Sequence, residues 1–226
     1  FSSYIERNTH FYNNNWKRSR GVADWVGVTN LDEFPVHPVM PVRDYLTRMK
    51  VNGVTAVPAL GFRMQVDGVP PADADLARTE VFGASLVKDC KLVFFDPNAI
   101  EEVNFKPGRH QAQPHGRVVY PRRDTLLNLH YHSFGTEYTR ERYARRQERR
   151  SKLDIEKRWG WNYAMDTGEI DAMRQDENAR KIDVYSWRAR VLYSERLWWR
   201  SSRIDRGCLF LIRRYGPRLG GPPPAV

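Results

Sequence analysis

Ala23-Asp24-Trp25-Val26-Gly27-Val28-Thr29-Asn30-Leu31-Asp32-Glu33-Phe34-Pro35-Val36-His37-Pro38 decides how the chain is read, because an apolar run ends here in two adjacent carboxylates and then two prolines. Trp25, Val26, Val28 and Leu31 have the near-continuous, β-branched character of a strand covered on both faces, as in the interior of an α/β sheet. Asp32 and Glu33 then fall at the expected carboxyl end. Open α/β sheets bind ligands just outside the carboxyl ends of their strands, and two carboxylates there suit a hard divalent cation that also holds phosphate oxygens. Pro35 and Pro38 lack ladder donors and are expected to stop the strand. The simpler alternative is an acidic pair that opens a solvated loop.

Upstream, Phe11-Tyr12-Asn13-Asn14-Asn15-Trp16-Lys17-Arg18 reads as a helix over about residues 10–19. Downstream, Val42, Tyr45, Leu46 and Met49 recur at i, i+3, i+4 and i+7, the stripe of an amphipathic helix packed on a sheet, and Asn52-Gly53 closes it. Val54 to Met64 reads as one or two strands, residues 67–80 as a proline-bearing surface loop, and Lys91-Leu92-Val93-Phe94-Phe95 as another strand. Helix alternating with strand argues for an α/β fold. In Leu126-Leu127-Asn128-Leu129-His130-Tyr131-His132, a period of two puts Leu127, Leu129 and Tyr131 on one face and Asn128, His130 and His132 on the other. Glu137 to Arg158 reads as one strongly charged helix, and Ile182 to Arg206 as another that interleaves Trp with Arg.

Asn30-Leu31-Asp32-Glu33-Phe34 after Ala-Asp-Trp-Val resembles the Asp-x-Asp-Glu-Phe region of bacterial family 2-like glycosyltransferases with a GT-A fold, and Asn30 stands where that family has its first Asp. Over residues 10–165 the order of the other segments is also similar: Asn…Trp16-Lys17, then Lys106-Pro107-Gly108-Arg109-His110, Leu129-His130-Tyr131, an Arg-rich helix, and Trp159-Gly160-Trp161-Asn162-Tyr163. The resemblance implies a partial GT-A-like mixed sheet flanked by helices over residues 1–136, a helical basic region over 137–215 and a tail over 216–226. It also implies a chain that begins inside its domain, since few residues precede the acidic stretch. The implied activity is metal-assisted transfer of a sugar from a nucleotide-sugar donor to a glycan or lipid-linked acceptor. Asp32, Glu33 and His130 would hold Mn²⁺ or Mg²⁺, and Trp16, Lys17, Asn30 and His110 would contact substrate. The catalytic base is not named. Imidazole beside carboxylates is a sound donor set for such ions.

Charge sharpens the alternatives. The net charge is +10, and residues 1–139 contribute only +1 of it (16 Lys/Arg against 15 Asp/Glu) while residues 140–226 contribute +9 (21 against 12). Such a surplus suits phosphate-bearing partners or an anionic membrane surface. A nucleic-acid-binding protein is the competing class, but the basic residues alternate with acids and no nucleic-acid motif is present, so nucleic acid is not the expected partner. A non-catalytic relative that binds a glycan is the third. No run approaches the ~18 apolar residues needed to span a bilayer, and no signal segment opens the chain, so a cytoplasmic protein with peripheral membrane contact is expected. Cys90 and Cys208 lie far apart without metal-ligand spacing, which fits a reducing compartment.

Overall fold

The computed structural model describes residues 3–121, 124 and 126–186. The fold is a mixed α/β sheet flanked by helices, built on one long strand, β3 (Ala56–Met64), in which every residue is buried. On one side β3 runs parallel to β8 (Leu126–His130), with Ala59 opposite Leu126 and Arg63 opposite His130. Its other pairings are antiparallel, to β5 (Lys91–Phe95) along Ala56–Ala59 and to β4 (Phe82–Ser85) along Phe62–Met64. Beyond these, β1 (Val26–Gly27) pairs with β5, β9 (Ile182–Asp183) with β4, and β2 (Glu33–Val36) with β8. A separate two-stranded ribbon joins β6 (Ile100–Glu102) to β7 (His115–Gly116).

Among the described residues the α-helices are α1 (Tyr4–Asn14), α2 (Val42–Val51), α3 (Leu76–Thr79), α4 (Thr136–Glu148), α5 (Lys152–Glu156) and α6 (Thr167–Ala179). Three of them start on side-chain caps, which satisfy backbone N–H groups that have no partner within the helix. Ser3 accepts from the Ile5 and Glu6 amides of α1, while Ser151 with Asp154 and Asp166 with Glu169 form capping boxes on α5 and α6.

Strand alternation sorts the interior. Leu60, Phe62 and Met64 of β3 and Leu127 and Leu129 of β8, with Tyr131 just beyond, point into the larger apolar core, which also takes Trp16, Leu92, Phe95 and Ile182. The intervening residues face the other way. Val57, Ala59 and Leu126 lie with Tyr45 and Met49 of α2 in a second core. Farther along that same face the period reaches Arg63, Asn128 and His130, so an apolar surface becomes a buried polar one within a few residues.

Six sequence expectations are corrected. The run Trp25–Leu31 is not one strand: β1 covers only Val26–Gly27, the chain turns at Leu31 and Asp32, and the acidic pair lies at the amino end of β2 rather than at a strand's carboxyl end. Leu31 is fully exposed at that turn, so its apolar character does not report burial. Pro35 does not end a strand. It sits inside β2, which pairs only with β8 among the described residues and therefore tolerates a missing donor on its outer edge. The helix expected over 10–19 lies earlier, as α1, and continues as a 3₁₀ turn over Asn15–Ser19.

The single charged helix over 137–158 is two helices, because Ser151 caps a new start after Arg149 and Arg150. Ile182 and Asp183 form a short strand and residues 184–186 a turn where a helix was expected; residues 187 to 206 of that expected helix and the tail lie outside the described residues. No helix among the described residues is long and apolar enough to cross a membrane.

Candidate metal centre

The polar half of the second face is assembled by one close backbone approach. Between β4 and β5 a 3₁₀ turn, Val87–Asp89, crosses β3 at Gly61, where a Cβ would stand 2.0 Å from the Asp89 carbonyl carbon. Only glycine leaves room for that crossing. The turn sets the fully buried Asp89 carboxylate beside Arg63 of β3 and His130 of β8. His130 Nδ1 bonds Asp89 Oδ1 at 2.9 Å, and Arg63 Nη2 pairs with Asp89 Oδ2 at 3.3 Å without hydrogen-bond alignment.

The acidic pair divides at this point. Alternation at the start of β2 sends Glu33 inward, where Lys91 of β5 holds Oε1 and Arg109 holds Oε2. Arg109 is itself completely buried and left-handed at φ 57°, a conformation unusual for a residue with a Cβ, and it also donates to the Val28 carbonyl. Burial opposes a charge on Glu33, but Lys91 and Arg109 outweigh it and keep the carboxyl below its ordinary range. Breaking such a group by removing one partner costs about 3–5 kcal/mol, since a buried charge is left alone.

Asp32 takes the opposite side. Its side chain keeps 23% exposure, its Oδ2 accepts from Arg142 of α4 at 2.5 Å, and the same oxygen lies 3.6 Å from His130 Nε2. That last separation is too long for a hydrogen bond between charged partners. Burial works against Asp32's charge, yet His130 and Arg142 hold its pKa well below the usual carboxylate value. Burial would also lower the pKa of His130, but the Asp89 and Asp32 carboxylates raise it. His132, next on that face, is packed edge-on against both His130 and Tyr143, and burial together with the charges of Arg63 and His130 holds its pKa well below the ordinary histidine value.

The donor atoms of Asp32, Glu33 and His130 all lie within 4.8 Å of one another. The donor set fits a hard divalent cation at two of these three residues. An imidazole whose Nδ1–H is tied to a carboxylate leaves Nε2 as the atom that would ligate a metal once it carries no proton. Asp32 Oδ2, 3.6 Å from His130 Nε2, is already paired with Arg142, so a cation there would share that carboxylate with the guanidinium. Glu33 does not fit, because both its oxygens already face buried cations. Mg²⁺ and Mn²⁺ are commonly held by one or two protein ligands with substrate phosphates and water completing the shell.

The other expected contacts fall in different places. Asn30 is beside the centre, but its amide is engaged at both ends: Nδ2 donates to Glu33 at 2.7 Å and Oδ1 accepts from Tyr12 at 2.8 Å. It orients Glu33 and does not stand in as a free ligand. His110 is at the margin, bonded through Nδ1 to the carbonyl of Lys88, the residue before Asp89. Trp16 is core, its ring edge-on to Phe95 at 4.9 Å, and Lys17 pairs with Glu102 at 2.6 Å. The structure thus brings together Asp32, Glu33, Asn30 and His130, while Trp16 and Lys17 are committed to other partners.

Sequence reasoning missed Asp89, Arg63 and Arg142. One signal was available: a lone Arg in Leu60-Gly61-Phe62-Arg63-Met64 is a charge in an otherwise buried run and so requires a buried counterion. Comparison of the chain with protein-family models, with curated proteins and with solved structures found no match, so the arrangement of these side chains is what bears on function.

Proposed function

We propose that the chain is part of a metal-assisted glycosyltransferase, in which Asp32 and His130 hold Mn²⁺ or Mg²⁺ at the diphosphate of a nucleotide-sugar donor and the acceptor is a glycan or a lipid-linked sugar. The observation that carries this reading is the Asp89–His130–Asp32 alignment: Nδ1 is fixed at 2.9 Å, while Nε2 and an Asp32 oxygen face each other at 3.6 Å with no bond between them. When bound, the cation supplies charge neutralisation for the departing diphosphate.

The protein's own residues do the rest. Asp89 orients the imidazole, Glu33 with Lys91 and Arg109 anchors the strand that presents Asp32, and Arg142 adds a positive charge beside Asp32 for phosphate oxygens. On this reading the mixed sheet is a portion of a GT-A-like domain. A second reading, a closed buried ion network with no metal, is favoured by the way Lys91 and Arg109 already neutralise Glu33.

Calorimetry with Mn²⁺ alone, then with UDP and GDP in its presence, separates the two on the wild-type chain and on Asp32→Ala. Mn²⁺ uptake that Asp32→Ala abolishes supports the first reading, as does nucleotide binding that requires the metal. A wild-type chain that takes up no Mn²⁺ removes it and leaves the closed network. Salt-sensitive binding of arbitrary polynucleotides in its place would move the assignment to the nucleic-acid class.

A further inference from the structure

Glu177 of α6 is 4% exposed and meets Arg63 at Nη1, while Nη2 of the same guanidinium faces Asp89. Its two oxygens are held separately: Arg63 Nη1 donates to Oε1 at 3.0 Å and Gln65 Nε2 to Oε2 at 3.0 Å. Arg63 is therefore shared between two carboxylates, Glu177 at 3.0 Å and Asp89 at 3.3 Å, and the second of these holds His130 Nδ1 at 2.9 Å. All of these residues are buried, so their charges are weakly screened and each alters what the next can give.

We infer that Glu177 is a positioning residue: by drawing the Arg63 guanidinium toward α6 it leaves more of the Asp89 charge for the Nδ1–H of His130, and so raises the donor strength of Nε2 toward the metal. The inference rests on the metal reading of Asp32 and His130. It makes α6 part of the centre, although this helix follows the resembled catalytic segments and contributes no ligand. Outer partners of this kind set the orientation and basicity of a metal-bound imidazole.

The relay has a sign, and that makes it testable apart from the metal. Glu177→Gln keeps the shape but gives Arg63 entirely to Asp89, so the His130 Nδ1–H bond weakens. Arg63→Met paired with Glu177→Met removes both charges, leaves Asp89 to His130, and so strengthens that bond. The Nδ1 proton resonance of ¹⁵N-histidine-labelled full chain, assigned by its loss in His130→Gln and measured at fixed pH without metal, is expected to move upfield in the first variant and downfield in the second. Movement in the same direction in both, or in neither, overturns the relay. If Glu177→Gln does not fold, the paired variant decides alone, because anything but a downfield move overturns it.

With Mn²⁺ added, Glu177→Gln should bind about tenfold more weakly than wild type. Equal affinity also overturns the relay. A wild-type chain that takes no Mn²⁺ removes the metal reading, and with it the claim about donor strength, while the proton resonances still decide whether Glu177 controls His130.

Discussion

His130 and His37 sit in two different polar clusters, and each is bonded to a buried or half-buried aspartate at 2.9 Å. His37 stacks near Tyr45 of α2, its Nε2 meets Asp124, and its Nδ1 accepts the Val39 amide at 3.2 Å. Both of its nitrogens are satisfied by the chain, and Asp124 is closed in turn by Arg48. His130 has the same grip on one nitrogen, but its other nitrogen faces a carboxylate across a gap too long to be a bond. On the metal reading, what separates the fastening histidine from the proposed ligand is therefore the second nitrogen. Burial does not separate them, since each residue is 8% exposed.

The comparison breaks most visibly through stability. Glu33→Gln leaves Lys91 and Arg109 short of a counterion in the interior, and urea unfolding should show a loss of about 3–5 kcal/mol. Asp124→Asn weakens the more exposed His37 cluster and should cost about 1 kcal/mol by the same measurement. Equal losses would mean that the two clusters do the same structural job. Next comes cation affinity. His130→Gln should weaken Mn²⁺ binding at least tenfold by calorimetry, whereas His37→Gln should leave it unchanged.

Acid titration sharpens the contrast further. Glu33, Asp89 and Asp124 all have folded pKa values held below their ordinary ones, by Lys91 and Arg109, by Arg63 and His130, and by His37 and Arg48 respectively, in each case against burial. A depressed carboxylate stabilises the fold above its unfolded pKa and loses that contribution as pH falls through the folded value. The urea midpoint should therefore be insensitive to these groups near neutrality and decline below about pH 4. Glu33→Gln should decline less steeply than wild type. The smallest effect belongs to Leu31→Ser: at a fully exposed turn the change in stability should stay within about 0.5 kcal/mol, which would confirm that the apolar run ends before this residue.

Local periodicity carried much of the architecture. The stripe of Val42, Tyr45, Leu46 and Met49 is α2, and the alternation from Leu126 to His132 puts His130 on the polar face. Asp32, Glu33 and His130 were legible as a group, but the division of labour within the acidic pair was not. It depends on a turn hidden in apolar sequence and on two cations contributed from Lys91 and Arg109, far along the chain. The same is true of Asp89, whose position is fixed by contact with Gly61 rather than by anything near it in sequence. The capping patterns Ser151-x-x-Asp154 and Asp166-x-x-Glu169, which mark the starts of α5 and α6, went unread beneath the strong charge pattern that made 137–158 look like one helix.

Pro35 has an effect beyond its own strand. Because β2 pairs only with β8 among the described residues, its other edge would otherwise offer an unbroken row of donors and acceptors to any extended peptide. A missing amide in the middle of four residues spoils that template. The margin that carries Asp32 is thereby protected from strand addition by a second molecule and from fibrous self-association.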